Sequence, residues 1–177
     1  MAIRLRSMDF KDYIRNVPDF PSPGILFRDI TPLLKNPAVF CEAIDRMADH
    51  YESLEFDTII GIDARGFLLS APLAYRLGKS LVPVRKEGKL PPEIRKATYH
   101  LEYGTDVLEV KSEALASGQR VVIVDDLLAT GGTVMATSTL VEQVGARVSG
   151  IGVLSELTYL GGRASLDGYD VFSLVKY

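Results

Sequence analysis

Residues 121–133 read V-V-I-V-D-D-L-L-A-T-G-G-T and constrain this chain more than any other stretch. The β-branched residues Val121, Val122, Ile123 and Val124, set between polar Arg120 and Asp125, predict a short strand buried on both faces of a parallel sheet. That strand is expected to stop on two carboxylates, Asp125 and Asp126. After Leu127 and Leu128, the small residues Ala129, Thr130, Gly131, Gly132 and Thr133 predict a turn, and the segment up to Gly145 reads as a helix.

A strand, a turn and a helix N-terminus make an anion site, because first-turn N–H groups lack intrahelical partners and the aligned peptide dipoles leave partial positive charge there. Gly131 and Gly132 remove Cβ obstruction, and the hydroxyls of Thr130 and Thr133 add donors. Phosphate fits such a turn. Asp125 and Asp126, at the carboxyl end of a strand, suit ribose hydroxyls or a hydrated Mg²⁺, so the combination points to a sugar phosphate. Taken singly, a Gly-Gly turn is often only a turn, and paired aspartates are often solvated or capping. The run is neither a Walker A loop, since no Lys precedes Thr133, nor a G-x-G-x-x-G turn. It resembles the phosphoribosyl-diphosphate (PRPP) binding motif of the type I phosphoribosyltransferases.

Composition narrows the class further. A chain of 177 residues suits one domain, here residues 1–177, with a sizeable core. A net charge of −3 and a pI near 5.4 give no support to nucleic-acid binding. Cys41 is the single cysteine, which excludes an intrachain disulfide, fits a reducing cytoplasm and reads as a packing residue of an amphipathic helix. No signal-peptide run and no stretch of ~18 to 20 apolar residues is present, so no membrane association is expected.

Along the chain, Phe10, Tyr13 and Ile14 predict a short helix over 7–15. Residues 17–31, V-P-D-F-P-S-P-G-I-L-F-R-D-I-T, contain prolines that exclude regular helix and apolar residues that imply a packed loop. Pattern alone leaves open a stiff connection whose Phe27 plugs the core and a rigid loop that carries function. Asn36 and Pro37 are an N-cap and N1 pair, opening a helix with Phe40, Ile44, Met47, Tyr51 and Leu54 on one face and His50 exposed. Residues 57–62 read as a strand and 66–77 as a helix stopped by Gly78. The turn between them, Asp63, Ala64, Arg65 and Gly66, repeats the anion-site logic with a fixed cation.

A further strand is expected over 81–84, followed by a basic run containing Arg85, Lys86, Lys89, Arg95 and Lys96. Gly88, Pro91 and Pro92 argue against regular structure there. Such a run is either a solvated face or, between two phosphate turns, a lid that excludes water and strengthens electrostatics. Residues 98–102 and 106–111 should pair as a hairpin, with His100 structural; later strands are expected over 147–154 and 171–175. Strands alternating with helices indicate an α/β fold with a central, mostly parallel sheet and right-handed crossovers.

The string F-P-S-P-G-I-L-F-R-D-I-T-P-L-L, residues 20–34, resembles the base-binding segment of the adenine phosphoribosyltransferases and is not shared by their hypoxanthine-guanine or orotate relatives. Residues 85–91 and L-E-Y-G at 101–104 also resemble that family's pattern, although 93–97 match less clearly. The resemblance implies the type I phosphoribosyltransferase fold with a small hood over 1–35 and a flexible catalytic loop and hairpin over 85–106. It implies transfer of the phosphoribosyl group of PRPP to adenine, giving AMP and pyrophosphate, in a cytoplasmic homodimer. By the same resemblance Leu26, Phe27 and Arg28 bind adenine, and Asp63, Ala64, Arg65, Gly66, Arg85, Lys86 and Lys89 hold pyrophosphate. Ala129, Thr130, Gly131, Gly132 and Thr133 hold the 5′-phosphate; Asp125, Asp126, Arg65 and Glu102 are catalytic; and Mg²⁺ is bound mainly through substrate oxygens rather than by protein ligands. A transferase of other base preference should lack the 20–34 signature, and a PRPP-sensing regulator should carry a DNA-binding appendage.

Overall fold

A computed structural model of the chain describes residues 8–100 and 105–177. Two compact units are present, Met1–Ala43 and Ile44–Tyr177. In the first, the expected helix near the N-terminus is a single 3-10 turn, Phe10–Tyr13, whose N-terminus is closed by the Asp9 carboxylate accepting from Lys11 N–H at 2.9 Å. The proline-rich stretch expected as a loop contains a short antiparallel pair, β1 (Arg15–Pro18) and β2 (Leu26–Asp29), with Val17 opposite Phe27. Prolines excluded helix, but Pro18 at a strand end costs this two-stranded sheet little. Between the strands Gly24 takes φ +86° and donates its N–H to Asp19 at 2.7 Å.

A five-residue helix, α1 (Thr31–Lys35), precedes α2 (Pro37–Tyr51). Asn36 caps α2 as anticipated, its Oδ1 accepting from Val39 N–H at 3.3 Å. The buried stripe of α2 is Val39, Ala43, Ile44, Met47, Ala48 and Tyr51: Ile44, Met47 and Tyr51 face inward as expected, while Phe40 and Leu54 are only half-buried and Val39 and Ala43 extend the stripe. Cys41 is therefore exposed rather than packed, since it lies between Val39 and Ala43 on the opposite side of the helix.

The second unit is built on β3 (Thr58–Ile62), α3 (Gly66–Leu77), β4 (Ser80–Lys86), β5 (Ile94–His100), β6 (Thr105–Lys111), β7 (Arg120–Leu128), α4 (Gly132–Gln143), β8 (Arg147–Glu156) and β9 (Val171–Lys176). These strands form one seven-stranded sheet in the order β5-β6-β4-β3-β7-β8-β9. The run from β4 to β9 is parallel, and the β5–β6 hairpin is joined to it antiparallel. The sheet is thus mixed, mostly parallel, as the alternation of strands and helices required.

Alternate strand residues, Ile60, Ile62, Val82, Val84, Val121, Ile123, Ile151 and Val153, share one buried cluster with Val134, Ala136, Leu140 and Val141 of α4. Ile59, Val122 and Val124, on the other face by alternation, are fully buried, as are Leu69 and Leu73 of α3. Burial on both faces explains why these strands read as continuous apolar runs.

Two boundaries differ from expectation. β7 does not stop before the carboxylates: Asp125, Leu127 and Leu128 remain paired with Val153, Ser155 and Glu156 of β8, so Asp125 and Asp126 lie within the strand. The hairpin begins at Ile94 rather than Thr98, because Arg95 and Lys96 pair with Val110 and Glu109 of β6. Lys96 reaches Glu87 at 2.8 Å and Glu109 at 3.0 Å, neutralising charge that suggested a solvated loop.

Ile123 is fully buried between these layers. Ile123→Ala is expected to cost about 2–5 kcal/mol, read as a lower denaturant midpoint at unchanged m-value; a midpoint at the wild-type position would contradict this account of the core.

Candidate active site

Parallel pairing places three strand ends at one edge of the sheet. Gly61 of β3 lies opposite Val124 of β7, and Ile62 lies opposite Val84 of β4. The turn after β3, the turn after β7 and the basic end of β4 therefore meet at the carboxyl edge. From β3 the chain crosses to β4 on one side, while from β7 it crosses to β8 on the other. Such a switch point opens a crevice between neighbouring strands, where α/β sheets bind ligands.

In the turn after β3 the peptide between Asp63 and Ala64 is cis. Asp63 Oδ2 accepts from Arg85 Nε at 2.9 Å and from Lys86 N–H at 3.4 Å. Burial alone would raise this carboxyl, but those hydrogen bonds and the charges of Arg85 and Lys89 outweigh it and hold Asp63 below its ordinary value. Arg65 occupies the N-cap position of α3, and no side chain caps the helix. Its Nε lies 3.0 Å from Asp126 Oδ2, so the two turns are joined by an ion pair. Gly66 has a more specific cause than room for a ligand: a Cβ there would lie 2.8 Å from Val124 O and 3.0 Å from Asp125 Oδ1. β7 itself requires the glycine.

The carboxylates of β7 are electrostatically costly. Asp125 is raised well above its ordinary value, first by burial and then by the neighbouring Asp126 charge. Asp126 is raised by burial and partly restored by Arg65. Asp125 Oδ1 also accepts from Asp126 N–H at 2.8 Å, which fixes the pair's orientation.

Gly131, at φ +88°, forms the N-cap of α4, which again has no side-chain cap. Neither N-cap residue, Arg65 of α3 or Gly131 of α4, closes its helix with its own side chain, whereas α2 is capped by Asn36. A cluster of the β5–β6 hairpin borders this turn. Lys86 Nζ lies 3.3 Å from Asp106 Oδ2, to which Tyr99 OH donates at 3.2 Å, and buried Tyr99 also feels Thr133 and Asp125.

The second unit therefore brings together Asp63, Arg65, Gly66, Arg85, Lys86, Asp125, Asp126 and the turn at 129–133. Lys89 follows on the turn after β4. Leu26, Phe27 and Arg28 lie on β2 of the first unit, where the half-buried Phe27 ring meets the exposed Phe20 ring edge-on at 5.2 Å. Glu102 lies outside the described residues. Asp106 and Tyr99 escaped the sequence reading because a single acid or tyrosine in a hairpin carries no motif. Among the described residues no group of three or more His, Cys, Asp or Glu side chains is arranged to hold a metal ion, and no helix is long and apolar enough to cross a membrane.

Comparison with known proteins identifies the family. A model of the phosphoribosyl transferase domain matches residues 29–171. An adenine phosphoribosyltransferase of Solibacter usitatus is 56% identical over 169 residues, covering 96% of this chain and 98% of the relative. The crystal structure of adenine phosphoribosyltransferase from Thermoanaerobacter pseudethanolicus superposes with a TM-score of 0.93 at 56% identity, covering 95% of this chain and 98% of that one. The Saccharomyces cerevisiae enzyme, complexed with an imino-altritol bisphosphate and adenine, gives 0.87 at 43% identity, covering 93% and 96% respectively.

The raised Asp125 carboxyl makes a signed prediction. Asp125→Asn keeps an acceptor for Asp126 N–H and removes a charge whose ionisation opposes folding. A raised carboxyl contributes fully only below the unfolded value and loses that contribution as pH rises through the folded one. The variant should match wild type in melting temperature at acid pH and exceed it increasingly toward pH 8; a gap independent of pH would refute the burial argument.

Proposed function

The chain belongs to the phosphoribosyltransferase family, and from that premise we infer that it transfers the 5-phosphoribosyl group of PRPP to N9 of adenine, yielding AMP and pyrophosphate in purine salvage. The observation that carries the site reading is the meeting of two side-chain-uncapped helix N-termini at the β3–β7 switch point, bridged by Arg65 and Asp126. One takes each phosphorylated end of the substrate.

At the turn after β7, Ala129, Thr130, Gly131, Gly132 and Thr133 receive the 5′-phosphate through backbone N–H groups and hydroxyls. Asp125 and Asp126 accept hydrogen bonds from the ribose hydroxyls. Asp63, Ala64, Arg65 and Gly66, with Arg85, Lys86 and Lys89, face the pyrophosphate. As the C1′–oxygen bond lengthens, negative charge gathers on the leaving group, and these cations stabilise it more than the ground state. The base attacks through N9 once held in line, a gain of orientation rather than of new chemistry.

The oxygen-rich pair Asp125 and Asp126 fits a hard divalent ion, and Arg65 already engages Asp126, which favours Mg²⁺ carried chiefly on substrate oxygens. When bound, Mg²⁺ supplies charge neutralisation to the departing pyrophosphate. On β2, the Leu26 C=O and Arg28 N–H complement the N6 donor and N1 acceptor of adenine, and Phe27 supplies a stacking face. A 6-oxopurine presents the reverse pattern, and polar mismatch of this kind discriminates by ~10⁴ to 10⁵. Glu102 is the proposed proton-handling residue near the base.

The same reading includes residues 1–35 as a hood and residues 85–106 as a closing loop and hairpin, in a cytoplasmic homodimer. Leu68 and Tyr75 of α3 and Leu81 of β4 are exposed apolar side chains available to a second copy.

Purified chain with Mg²⁺ and PRPP should convert adenine to AMP and leave hypoxanthine, guanine, xanthine and orotate unchanged; a nucleotide from another base would overturn the specificity. Asp125→Asn combined with Asp126→Asn should lose turnover by about 10²-fold or more while remaining folded, and near-wild-type turnover would remove the ribose assignment. Phe27→Ala should raise KM for adenine by about tenfold and that for PRPP much less. Equal changes would make Phe27 merely structural.

A further inference from the structure

The turn after β7 is backed by a segment far along the chain. Residues 162–166 form a single 3-10 turn, Gly162–Leu166, that lies against it. A Cβ on Gly162 would fall 2.1 Å from Ala129 O and 2.9 Å from both Ala129 C and Gly131 N. From the other side, a Cβ on Gly131 would fall 2.3 Å from Ser165 Oγ and 2.8 Å from Gly162 O. The two glycines therefore meet backbone to backbone, at a separation no other residue allows. Ser165 Oγ donates to Gly162 O at 2.7 Å and reaches Thr130 O at 3.4 Å, touching both partners.

So short a 3-10 turn has little stability of its own, and it is held by an ion pair. Arg163 donates from Nε to Glu156 Oε1 at 2.8 Å and from Nη2 to Glu156 Oε2 at 2.5 Å, a bidentate arrangement. Its remaining donors reach Val171 O at 2.8 Å and Ser173 Oγ at 2.9 Å on β9. Glu156 is the last residue of β8 and lies opposite Leu128, the last residue of β7, while Leu157 N–H donates to Leu128 O at 2.9 Å. The connection is closed: from the end of β7 through the turn, from the end of β8 through Glu156 and Arg163, and back onto the turn at Gly162 and Ser165.

We propose that Gly162 and Ser165, clamped by the Arg163–Glu156 pair, are positioning residues that shape the turn at 129–133 and set its affinity for the phosphate monoester end of the substrate. None of them need touch the ligand. A turn of small residues is intrinsically pliable, and its amides act as a preorganised cradle only if something fixes their directions. The proposal rests on the reading that this turn takes the 5′-phosphate.

The test compares AMP with adenosine, which differ only in that phosphate, in purified full-length chain. Gly162→Ala should weaken AMP binding by about 10- to 100-fold and leave adenosine nearly unchanged, with KM for PRPP rising and KM for adenine steady. Ser165→Ala, which removes a bracing hydroxyl without crowding, should show the same selectivity at about two- to fivefold and serves if Gly162→Ala does not fold. Equal loss of AMP and adenosine binding, or no loss of either in a folded variant, overturns the proposal. If the wild-type chain itself shows no preference for AMP over adenosine, it is the phosphate assignment of the turn that fails.

Discussion

The ion pair between Arg65 and Asp126 joins the two turns on which the site depends. Arg65 opens α3 and Asp126 lies near the end of β7, so the contact exists only because β3 and β7 are parallel neighbours in the observed register. A register slip by one residue would turn Asp126 to the other face and bring Asp125 into its place. Gly66 enforces the same closeness by steric means, since any side chain there would strike β7 at Val124 and Asp125. Charge attraction and shape thus fix one geometry together, and the basic end of β4 follows because it is paired to the other side of β3.

Three cations of this crevice are already compensated. Arg65 faces Asp126, Arg85 faces Asp63 and Lys86 faces Asp106. In a phosphate site this arrangement has two effects. It keeps like charges from repelling one another before substrate arrives, and it holds each guanidinium or ammonium in a restricted direction, so less side-chain freedom is lost on binding. The cost appears at the acids, where the Asp125 and Asp126 carboxyls are pushed upward by burial and the fold carries ionised groups it would otherwise exclude. On the proposed roles of these acids, stability is exchanged for a field that is in place before the reaction begins.

Much of this was legible in the sequence because the informative signals were local. The helix Gly66–Leu77 has the predicted limits, and Gly78 takes the left-handed conformation expected of a residue that ends a helix, at φ +61°. The continuous β-branched run at 121–124 is buried on both faces as its composition required. What escaped was settled by partners distant in sequence. Leu127 and Leu128 extend β7 only because β8 is there to pair with them, and Arg95 and Lys96 form strand because β6 offers Val110 and Glu109. Cys41 is exposed although Ile44, Met47 and Tyr51 face inward as expected, because the stripe continues through Val39 and Ala43 and leaves position 41 outside, which periodicity without a packing partner does not resolve.

Gly131 shows where such local reading stops being sufficient. In the sequence it is a small residue beside Gly132, and its use as an unobstructed approach for phosphate explains it fully. In the structure its own positive φ and the contact with Gly162 and Ser165 impose the same identity from within the protein. Gly66 repeats the pattern against β7. At both turns the residue proposed to leave room for an anion on one side is the residue that lets the supporting backbone approach on the other. Rigidity and access are therefore secured by a single choice of side chain, and substitution at either glycine would disturb the support of the cradle as well as its opening.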